Sequence, residues 1–337
     1  MSAPVRVVVV SWNTRELLER CLDSLAGDLA AGRCEAVVVD NGSRDGSPAM
    51  VAERFPAVEL IEAGANLGFG PAVNLGARAG AEPAPPWIAA ANADVELEPG
   101  ALGALLARAE RDPRCGAVAP RLIAPDGSTQ HSVHRFPDVG LSLAAIGGVG
   151  RLPWVGERLL IEGRWNPEIA REVPWAHGAF LLFRGAAFAA AGGFDERQWM
   201  YAEDVDIAWR LREAGYAVAY EPAARVRHAG SAAAIQAFGD ERSARHIRAV
   251  YAWMARRRGI ARARAFALVN TAGAAVRWLL CQPGRSLGFS GSASRAAMFR
   301  SYVKLHAQGF APRGRLLAGG GRAGPGALEE NHRSQQP

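Results

Sequence analysis

Cysteine and lysine are both scarce in this chain. The four cysteines, Cys21, Cys34, Cys115 and Cys281, form no CxxC pair and show no spacing typical of a metal site. We therefore expect no disulfide framework, and the pattern is typical of a reducing compartment. Lys304 is the single lysine among 39 basic residues, in a chain rich in alanine and glycine. The preference for arginine thus reflects compositional bias and needs no functional explanation.

Long apolar runs and two common phosphate-binding motifs are also missing. Residues 139–150 and 265–276 each have only twelve residues between charges, fewer than the ~20 that span a bilayer. The opening VRVVVVSW lacks the basic start and long apolar core of a signal peptide. The stretch NLGFGPAVN (66–74) does not match GxGxxG, and no GxxxxGK[ST] occurs. A membrane span, a secretory signal, a dinucleotide fold and a P-loop are therefore not expected.

Charge is present but unevenly distributed along the 337 residues. Residues 241–337 contain 17 basic and three acidic residues, a formal charge of +14, which leaves −8 for residues 1–240. Apolar residues make up 49% of the chain, as in a globular protein with a sizeable core. The basic segment is typical of an appendage for an anionic partner, either nucleic acid or an anionic membrane surface.

Strand-like and helix-like segments alternate through the first 120 residues. Buried or half-buried strands are predicted at 5–11, 35–40, 57–61, 87–94 and 115–120. Between them, Thr14 is positioned to cap a helix that runs to about Ala26, and Pro99 is suited to the first position of another. This alternation predicts a doubly wound α/β sheet, mostly parallel, with flanking helices.

The pattern is weaker between residues 121 and 173 and then becomes clear again. A strand is expected within 174–184, a short helix follows, and MYAEDVDIAWRLREAGY (200–216) has helical spacing with Gly215 as a stop. An Arg-rich helical region follows residue 241. The last twenty residues are Gly-rich and polar, so we expect them to be disordered.

Polar residues collect where the predicted strands end. The carboxyl ends of strands in an open α/β sheet are the usual place for ligands. Asp40 could hydrogen-bond a base or ribose, or only close an Asx-turn. Asp94 could bind a divalent cation on a diphosphate, or only cap the turn before Pro99. His228 could complete that metal site or be structural.

Three carboxylates are crowded at the start of the helix after residue 200. Glu203, Asp204 and Asp206 lie within four positions. Acidic residues in a first helical turn are stabilised by the macrodipole, by ~0.3–1 kcal/mol each. A structural role and a catalytic role are therefore both compatible with the cluster.

Six motifs in sequence order give a specific resemblance. They are VVVVSWNTRELLERCLDSL, VVVDNGSRDGS, NLGFGPAVNLG, NADVELEPGAL, WAHGAFLLFRGAAFAAAGGFDE and MYAEDVDIAWRLREAGYAVAYEPAARVRHAGS, which together cover about residues 5–232. The chain resembles family 2 glycosyltransferases with the GT-A fold. Within them it is most similar to the rhamnosyltransferase-like branch, which builds bacterial surface polysaccharides.

The resemblance implies a donor site at the strand ends. Asp40 matches the residue that holds the nucleotide base or ribose, and the main chain of Ser11, Trp12 and Asn13 lines the same pocket. The remaining donor-side positions are Asn66 and Asn74 near the diphosphate, and Asn92 and Asp94 where many members carry Asp-x-Asp. Because Asn92 replaces the first aspartate, Asp94 is left as the principal ligand for Mg²⁺ or Mn²⁺, with His228 beside it.

The resemblance also implies a catalytic base and an acceptor side. Glu203 and Asp204 match the family's ED motif, whose aspartate is the base, and we expect Asp206 only to support the helix. Like-charge repulsion from Glu203 and Asp206 is expected to raise the pKa of Asp204. Trp175 and Gly178 match an acceptor-side stretch, and His177 stands between them with an open role.

These expectations define three regions and one reaction. Residues 1–120 would bind the nucleotide sugar, 121–240 the acceptor and base, and 241–337 would form a basic amphipathic helical extension with a disordered tail. The expected reaction is inverting transfer, from dTDP-rhamnose or another donor such as UDP-galactose or UDP-N-acetylglucosamine. The acceptor would be polyprenyl-diphosphate-linked or a polysaccharide. The enzyme would be cytoplasmic and peripheral on the inner face of the cell membrane.

Other classes of protein remain open at this point. A nucleotidyltransferase would carry a Gly-rich basic loop after the first strand, which SWNTRELL lacks. A nucleic-acid-binding protein would use the basic segment, yet no recognised binding motif lies there, so no nucleic acid is expected as a partner. An inactive sugar-nucleotide binder would not need both Asp94 and Asp204. The basic segment could lie on a membrane or simply pack on the rest of the protein. Its arginines are interleaved with Trp253, Met254, Phe266, Leu268, Trp278 and Leu279.

Overall fold

A computed structural model describes residues 5–80, 85–230, 241–282 and 291–320. The chain divides into two compact units. The first, called the sheet unit, contains the described residues of Met1–Arg135 and Asn166–Gly239. The second, called the helical unit, contains those of Phe136–Trp165 and Asp240–Gly321.

The strands all lie in the sheet unit. They are β1 (Val5–Ser11), β2 (Cys34–Asp40), β3 (Glu59–Glu62), β4 (Trp87–Asn92), β5 (Val95–Leu97), β6 (Cys115–Ile123), β7 (Val133–His134), β8 (Arg171–Val173), β9 (Trp175–Ala176), β10 (Phe180–Arg184) and β11 (Ala217–His228). Nine of these described strands form one sheet, in the order β3-β2-β1-β4-β10-β6-β11-β5, with β8 also paired to β11. β7 and β9 form a separate antiparallel pair.

Helices flank this sheet and build the second unit. Those of the sheet unit are α1 (Arg15–Ala30), α2 (Ser47–Arg54), α3 (Phe69–Arg78), α4 (Ala101–Glu110), α7 (Gly185–Ala190) and α8 (Glu203–Glu213). Those of the helical unit are α5 (Val139–Ile146), α6 (Pro153–Arg158), α9 (Arg242–Arg257), α10 (Ile260–Leu280), α11 (Ser292–Ala307) and α12 (Arg313–Leu317). Short 3₁₀ turns occur at Val149–Arg151, Gln308–Phe310 and Ala318–Gly320.

The predicted α/β architecture is confirmed, with one central exception to parallel order. β1 pairs in parallel with both β2 and β4, and β6 pairs in parallel with β11. β10 is antiparallel to both of its neighbours, β4 and β6. The strand expected within 174–184 is accordingly split into β9 and β10, and β10 runs back through the middle of the sheet.

The core of the sheet unit follows from the sequence pattern. β1 is buried on both faces, as its run of β-branched residues predicts. One face of α1 is fully buried through Leu18, Leu22 and Leu25. Gly76 lets α3 approach the sheet, because a Cβ there would overlap the side chain of Val8.

Two predicted helix starts differ in detail. Thr14 is the N-cap of α1, but its side chain makes no capping bond, and its hydroxyl lies 3.3 Å from that of Ser11. Pro99 precedes α4 instead of opening it, because Gly100 is the N-cap with a left-handed φ of 85°. Glycine adopts that conformation readily, and the helix begins at Ala101, two residues later than expected.

The helical unit has its own aromatic core. Trp253 and Tyr251 on α9 are fully buried, Trp253 stacks with Phe136 at 6.1 Å, and the hydroxyl of Tyr251 lies 3.0 Å from Nδ1 of His306. Segment 136–165, which the sequence places with the acceptor half, thus packs with the C-terminal helices. The reason is a set of long-range contacts, including an ion pair of 2.8 Å between Arg258 and Asp138.

Two predictions concern the C-terminal tail and membrane-spanning helices. Of the expected disordered tail, Ala318–Gly320 form a short 3₁₀ turn, and residues 321–337 lie outside the described residues. Among the described helices, none combines the length and apolar character needed to cross a membrane.

Candidate active site

Three parallel strands of the sheet unit end side by side in polar residues. In the register of β1 with β2, Ser11 is opposite Asp40, and in that of β1 with β4, Val10 is opposite Asn92. The carboxyl ends of β1, β2 and β4 therefore bring the predicted donor-side residues to one edge of the sheet, where open α/β sheets bind ligands.

Asp40 presents one carboxylate oxygen to this edge. The residue is 2% exposed, and its Oδ1 accepts the main-chain N–H groups of Gly42 and Ser43 at 3.0 and 2.8 Å. Its Oδ2 is buried and accepts no hydrogen bond from the described residues. A buried oxygen left in that state is costly, so a donor group on a bound ligand would satisfy it.

The loop after β1 is fixed against the loop after β2. The main-chain N–H of Asn13 donates to Ser43 Oγ at 2.9 Å, and Asn13 Oδ1 accepts the N–H of Arg44 at 2.7 Å. Asn13 itself has a left-handed φ of 51°. Its side chain therefore shapes the loop, and the main chain of this segment is what remains to line a pocket.

Asn66 and Asn74, the other predicted donor-side residues, have internal partners. Asn66 Oδ1 accepts the N–H of Gly68 at 2.9 Å. The Asn74 amide donates to the carbonyl of Phe194 at 2.9 Å and accepts its N–H at 2.8 Å. In the structure both side chains hold loops in place, so a direct contact with the donor stays a prediction.

The Gly-rich loop and the segment before α8 are in close contact. Gly68 has a φ of +88°, and a Cβ there would overlap the main-chain oxygen of Trp199. The indole Nε1 of Trp199 donates to the carbonyl of Asn66 at 3.3 Å, and Trp12 and Tyr201 pack against the same indole. Glycine at position 68 is therefore what allows the donor-side loop to reach the segment that carries the predicted base.

Asp94 and His228 meet because β5 pairs with β11. Asp94 directly precedes β5, and Val95 is opposite His228 in that pairing. His228 Nε2 lies 3.4 Å from Asp94 Oδ1, and both residues are buried. The two residues that the sequence predicts as metal ligands are thus brought together by the sheet.

Gln130, which the sequence analysis does not single out, sets the orientation of His228. Its side-chain Nε2 donates to the main-chain oxygen of His228 at 2.9 Å, so its Oε1 faces His228 Nδ1 at 2.8 Å and must accept. The ring hydrogen is then on Nδ1, and a neutral ring points the lone pair of Nε2 at Asp94. Nε2 makes no hydrogen bond within the described residues.

This arrangement fits a divalent cation. A carboxylate oxygen and an imidazole lone pair that face each other at 3.4 Å repel unless a cation or proton lies between them. Imidazole and carboxylate are both ligands for Mn²⁺, and carboxylate suits Mg²⁺. Among the described residues, no three His, Cys, Asp or Glu side chains are grouped for a metal. Asp94 and His228 would therefore share the cation with a bound ligand and water.

The backbone is strained where the chain enters α8. Tyr201 and Ala202 have left-handed φ values of 64° and 61°, which non-glycine residues rarely adopt. Each such residue costs of order 1–3 kcal/mol and persists only where its surroundings enforce it. The sharp turn places Glu203 and Asp204 in the first helical turn of α8, beside the loop that follows β9.

Asp204 is held by main-chain groups from two segments. Its Oδ2 accepts the N–H of Gly178 at 3.2 Å, and its Oδ1 accepts that of Val205 at 2.8 Å. Both bonds, together with the N-terminal end of the helix, favour the ionised carboxylate. The predicted base and the predicted acceptor-side residue Gly178 are therefore direct neighbours.

The neighbouring carboxyl of Glu203 has a raised pKa. Burial raises the pKa of Glu203 well above its usual value, and the charge of Asp204 raises it further. Its Oε2 is buried and has no hydrogen-bond partner among the described residues. The expected effect of Glu203 on the pKa of Asp204 thus has a counterpart in the opposite direction, because the charge of Asp204 also raises the pKa of Glu203.

Asp206 supports the helix, as expected. It is fully buried and pairs with Arg210 at 2.7 Å, one helical turn later. Arg210 also donates to the carbonyls of Ala191 and Gly193. The third carboxylate of the cluster is therefore part of the contact between α7 and α8.

The acceptor-side residues belong to a cluster of aromatic rings. Trp175 is largely buried, donates from Nε1 to the carbonyl of Arg135 at 2.9 Å, and stacks on His134 at 4.6 Å. His177 Nε2 lies 3.0 Å from His134 Nε2, and His131 packs on His134 at 4.3 Å. The sequence analysis misses His131 and His134, although QHSVH (130–134) is a visible polar run.

Comparison with known proteins agrees with this geometry. The family model "Glycosyl transferase family 2" matches residues 6–179. A protein of Mycobacterium tuberculosis named N-acetylglucosaminyl-diphospho-decaprenol L-rhamnosyltransferase is 41% identical over 235 residues, which are 66% of this chain and 75% of that protein.

Solved structures share the fold at low identity. The mannosyltransferase PcManGT from Pyrobaculum calidifontis, in complex with GDP-Man and Mn²⁺, matches with a TM-score of 0.55 and 19% identity, over 100% of this chain and 89% of that one. GalNAc-T7 with UDP, GalNAc and Mn²⁺ matches with a TM-score of 0.51 and 15% identity, over 75% of this chain and 51% of that one. The predicted GT-A fold is confirmed, and the chain belongs to glycosyl transferase family 2.

Proposed function

We propose that the protein transfers a rhamnosyl group from dTDP-rhamnose to a polyprenyl-diphosphate-linked sugar, with inversion at the anomeric carbon. The observation that carries the reaction type is Asp204, held at a helix N-terminus beside the acceptor-side Gly178. The choice of sugar and acceptor rests on the name of the mycobacterial relative. UDP-galactose and UDP-N-acetylglucosamine are the alternative donors, and a growing polysaccharide is the alternative acceptor.

The donor nucleotide would lie on the carboxyl ends of β1, β2 and β4. Asp40 Oδ2 would accept a hydrogen bond from the base or ribose, which satisfies its buried oxygen. The main chain of Ser11, Trp12 and Asn13 would form the adjoining wall. Asn92 would face the donor between Asp40 and Asp94.

Asp94 and His228 would hold Mg²⁺ or Mn²⁺ against the donor diphosphate. When bound, the cation neutralises the charge that develops on the departing nucleotide. Gln130 keeps His228 in the tautomer that can coordinate through Nε2. Both neighbours with TM-scores above 0.5 were solved with Mn²⁺, which supports a divalent ion here.

Asp204 would act as the general base. It removes the proton from the acceptor hydroxyl as that oxygen attacks the anomeric carbon on the face opposite the diphosphate. Such catalysis typically contributes 10²–10⁴-fold. Glu203, whose pKa is raised by burial, would stay protonated while Asp204 is ionised, so that the pair carries one charge. Trp175 and His177 would shape the acceptor side.

The test is a donor screen followed by a transfer assay. Thermal unfolding is measured with dTDP-rhamnose, UDP-galactose and UDP-N-acetylglucosamine, each with Mn²⁺ or with EDTA, because a bound ligand stabilises the folded state by mass action. Stabilisation by dTDP-rhamnose with metal, followed by rhamnose transfer to a polyprenyl-diphosphate-linked N-acetylglucosamine, supports the proposal. Stabilisation only by a UDP-sugar would show that this UDP-sugar, and not dTDP-rhamnose, is the donor.

We further propose that the enzyme works as a peripheral protein on the inner face of the cell membrane. A polyprenyl chain keeps its sugar at the bilayer surface, and the +14 charge of residues 241–337 suits anionic lipid. Tight binding to random DNA at physiological salt, without binding to anionic vesicles, would favour the nucleic-acid alternative instead.

A further inference from the structure

The outer face of α10 is apolar. Nine residues of this helix are exposed, and only Arg262 and Arg264 among them are charged. The other seven are Ala261, Ala265, Leu268, Ala272, Val276, Leu279 and Leu280. A surface helix normally presents polar residues to solvent and apolar ones to the core. α10 therefore departs from that rule along its whole length.

The exposed apolar residues form one continuous stripe. Positions 261, 265, 268, 272, 276 and 279 follow each other at intervals of three or four residues, so they lie on one side of the helix. Leu268, Val276 and Leu279 are 61%, 54% and 58% exposed. At 1.5 Å per residue the stripe is about 27 Å long. Contiguous apolar surface of this kind marks an interaction site.

Packing on the opposite side holds α10 in place. Asn270 donates to Ser142 Oγ at 2.9 Å, and Arg277 donates to the carbonyls of Ala145 and Ile146 at 3.2 Å. Gly273 also faces this side, where a Cβ would overlap Ile146. α5 and α11 both pack on α10, and among the described residues the stripe stays exposed.

Charge indicates the partner of this face. No aspartate or glutamate occurs between Glu241 and Glu329, so the surroundings of α10 in the sequence contain only basic charges. Arg262 and Arg264 are exposed at the edges of the stripe. A second copy would bring the same arginines together and repel, whereas anionic lipid headgroups would attract them. Apolar residues with basic flanks are typical of helices that lie in a membrane interface.

We propose that the outer face of α10 is the surface by which this protein binds an anionic lipid bilayer. The apolar stripe enters the headgroup boundary, and Arg262 and Arg264 contact the lipid phosphates. Trp154, also in the helical unit, is 69% exposed and is a residue type enriched at membrane interfaces. The inference deepens the proposed peripheral location, and its observations do not depend on the donor or on the reaction.

This assignment narrows the set of residues that the sequence suggests for a membrane surface, because Leu268 and Leu279 are exposed. Trp253 and Met254, which lie among arginines in the sequence, are buried in the core of the helical unit. The membrane surface is therefore assigned to α10 and not to the aromatic residues of α9.

The test compares exposed residues of the two units. The variant L268Q/V276Q/L279Q removes the apolar stripe, and I169Q changes the exposed apolar Ile169 of the sheet unit, which is 49% exposed. Full-length proteins are sedimented with vesicles of phosphatidylcholine alone or mixed with phosphatidylglycerol. We expect the wild type and I169Q to bind the mixed vesicles, and the triple variant to lose at least tenfold in affinity. R262Q/R264Q should weaken only the binding that depends on phosphatidylglycerol.

Three controls separate the possible outcomes. Circular dichroism and thermal unfolding establish that each variant is folded, and R262Q/R264Q serves as the test if the triple variant is not. Sedimentation velocity without lipid measures self-association: a dimer that the triple variant abolishes, with no vesicle binding by the wild type, would overturn the proposal in favour of a second copy. Equal vesicle binding by the wild type and the folded stripe and arginine variants would also overturn it. Donor-induced thermal stabilisation of the same proteins reports the proposed function separately.

Discussion

The sheet unit buries several charged side chains, whereas the helical unit exposes several apolar ones. The sheet unit buries Asp40, Asp94 and Asp206 near the ends of its strands and in α8. The helical unit instead exposes Leu268 and Leu279 on α10. Buried polar groups cost stability and exposed apolar groups invite association. Our proposals assign chemistry on a bound ligand to the first unit and attachment to the second, so substitutions should separate the two properties.

The largest expected effect is on turnover, from Asp204→Asn. The amide keeps the shape and its single oxygen can still accept one of the two main-chain N–H groups, but it cannot take a proton at neutral pH. We expect kcat to fall by about 10²–10⁴-fold, with donor binding and vesicle binding unchanged. Initial rates with a lipid-linked acceptor measure the loss. Asp126→Asn, in an exposed turn, is the matched control, and a fully active Asp204→Asn enzyme would exclude Asp204 as the base.

Asp94→Ala should break metal-dependent donor binding. It removes the carboxylate beside His228, so the cation would keep one protein ligand. We expect donor affinity with Mn²⁺ to fall at least tenfold, about 1.4 kcal/mol, while affinity in EDTA stays at its low wild-type value. Calorimetry with and without EDTA provides the comparison. If the wild type binds donor equally well in both conditions, the metal role of Asp94 is wrong.

Gln130 offers a smaller and more specific test of the same site. Gln130→Leu removes both bonds to His228, so the ring is no longer fixed with its Nε2 lone pair towards Asp94. Loss of such an outer partner typically costs 10–100-fold in metal affinity. Gln130→Glu keeps an acceptor for the Nδ1–H of His228, so we expect this variant to retain most of the metal affinity. Titration of Mn²⁺ in the presence of dTDP, followed by electron paramagnetic resonance, measures the affinity.

If Gln130→Leu bound Mn²⁺ with wild-type affinity, Gln130 would not be the residue that fixes the tautomer of His228. Gln282→Leu, on the helical unit, is a control for the loss of a glutamine whose amide donates to the carbonyl of Trp278 at its own helix end. It should leave Mn²⁺ affinity and donor binding unchanged.

The strand ends were predictable from sequence because their signal is local. The runs before Ser11, Asp40 and Asn92 are apolar and β-branched or small, and each ends in a polar residue. Parallel order then places those ends at one edge. The contact between Asp94 and His228 could not be predicted from local patterns, because it depends on the pairing of β5 with β11. That pairing is not visible in the periodicity of a three-residue strand.

The role of Gln130 and the composition of the helical unit could not be predicted from local sequence patterns. Gln130 follows a tight turn after β6 and reaches His228 across 98 residues of sequence. Segment 136–165 joins the C-terminal helices through Phe136, Asp138 and Ser142. Their partners in those helices are Trp253, Arg258 and Asn270. Arginines surround Trp253 in the sequence, which suggests a surface residue, yet its side chain on α9 is fully buried. In each case a long-range contact decides the role.

The smallest expected effect concerns stability and pH, through Glu203. An unfolded glutamate titrates near 4.3, and burial next to Asp204 raises the pKa of Glu203 in the folded protein. Between the two values the folded state holds a proton that the unfolded state has released, so stability falls as pH rises through that window. Glu203→Gln removes this penalty, because an amide does not ionise.

We therefore expect Glu203→Gln and the wild type to unfold at the same temperature in acid, and the variant to gain a few degrees as pH rises to neutral and above, with ~2–4 °C corresponding to each 1 kcal/mol. Thermal unfolding across this pH range makes the comparison, with exposed Glu213→Gln at the far end of α8 as the matched control. A constant difference at every pH would mean that the substitution acts through packing. A variant that loses stability as pH rises would show that the ionised carboxylate is stabilised here, and that Asp204 and Glu203 exchange their assigned protonation states.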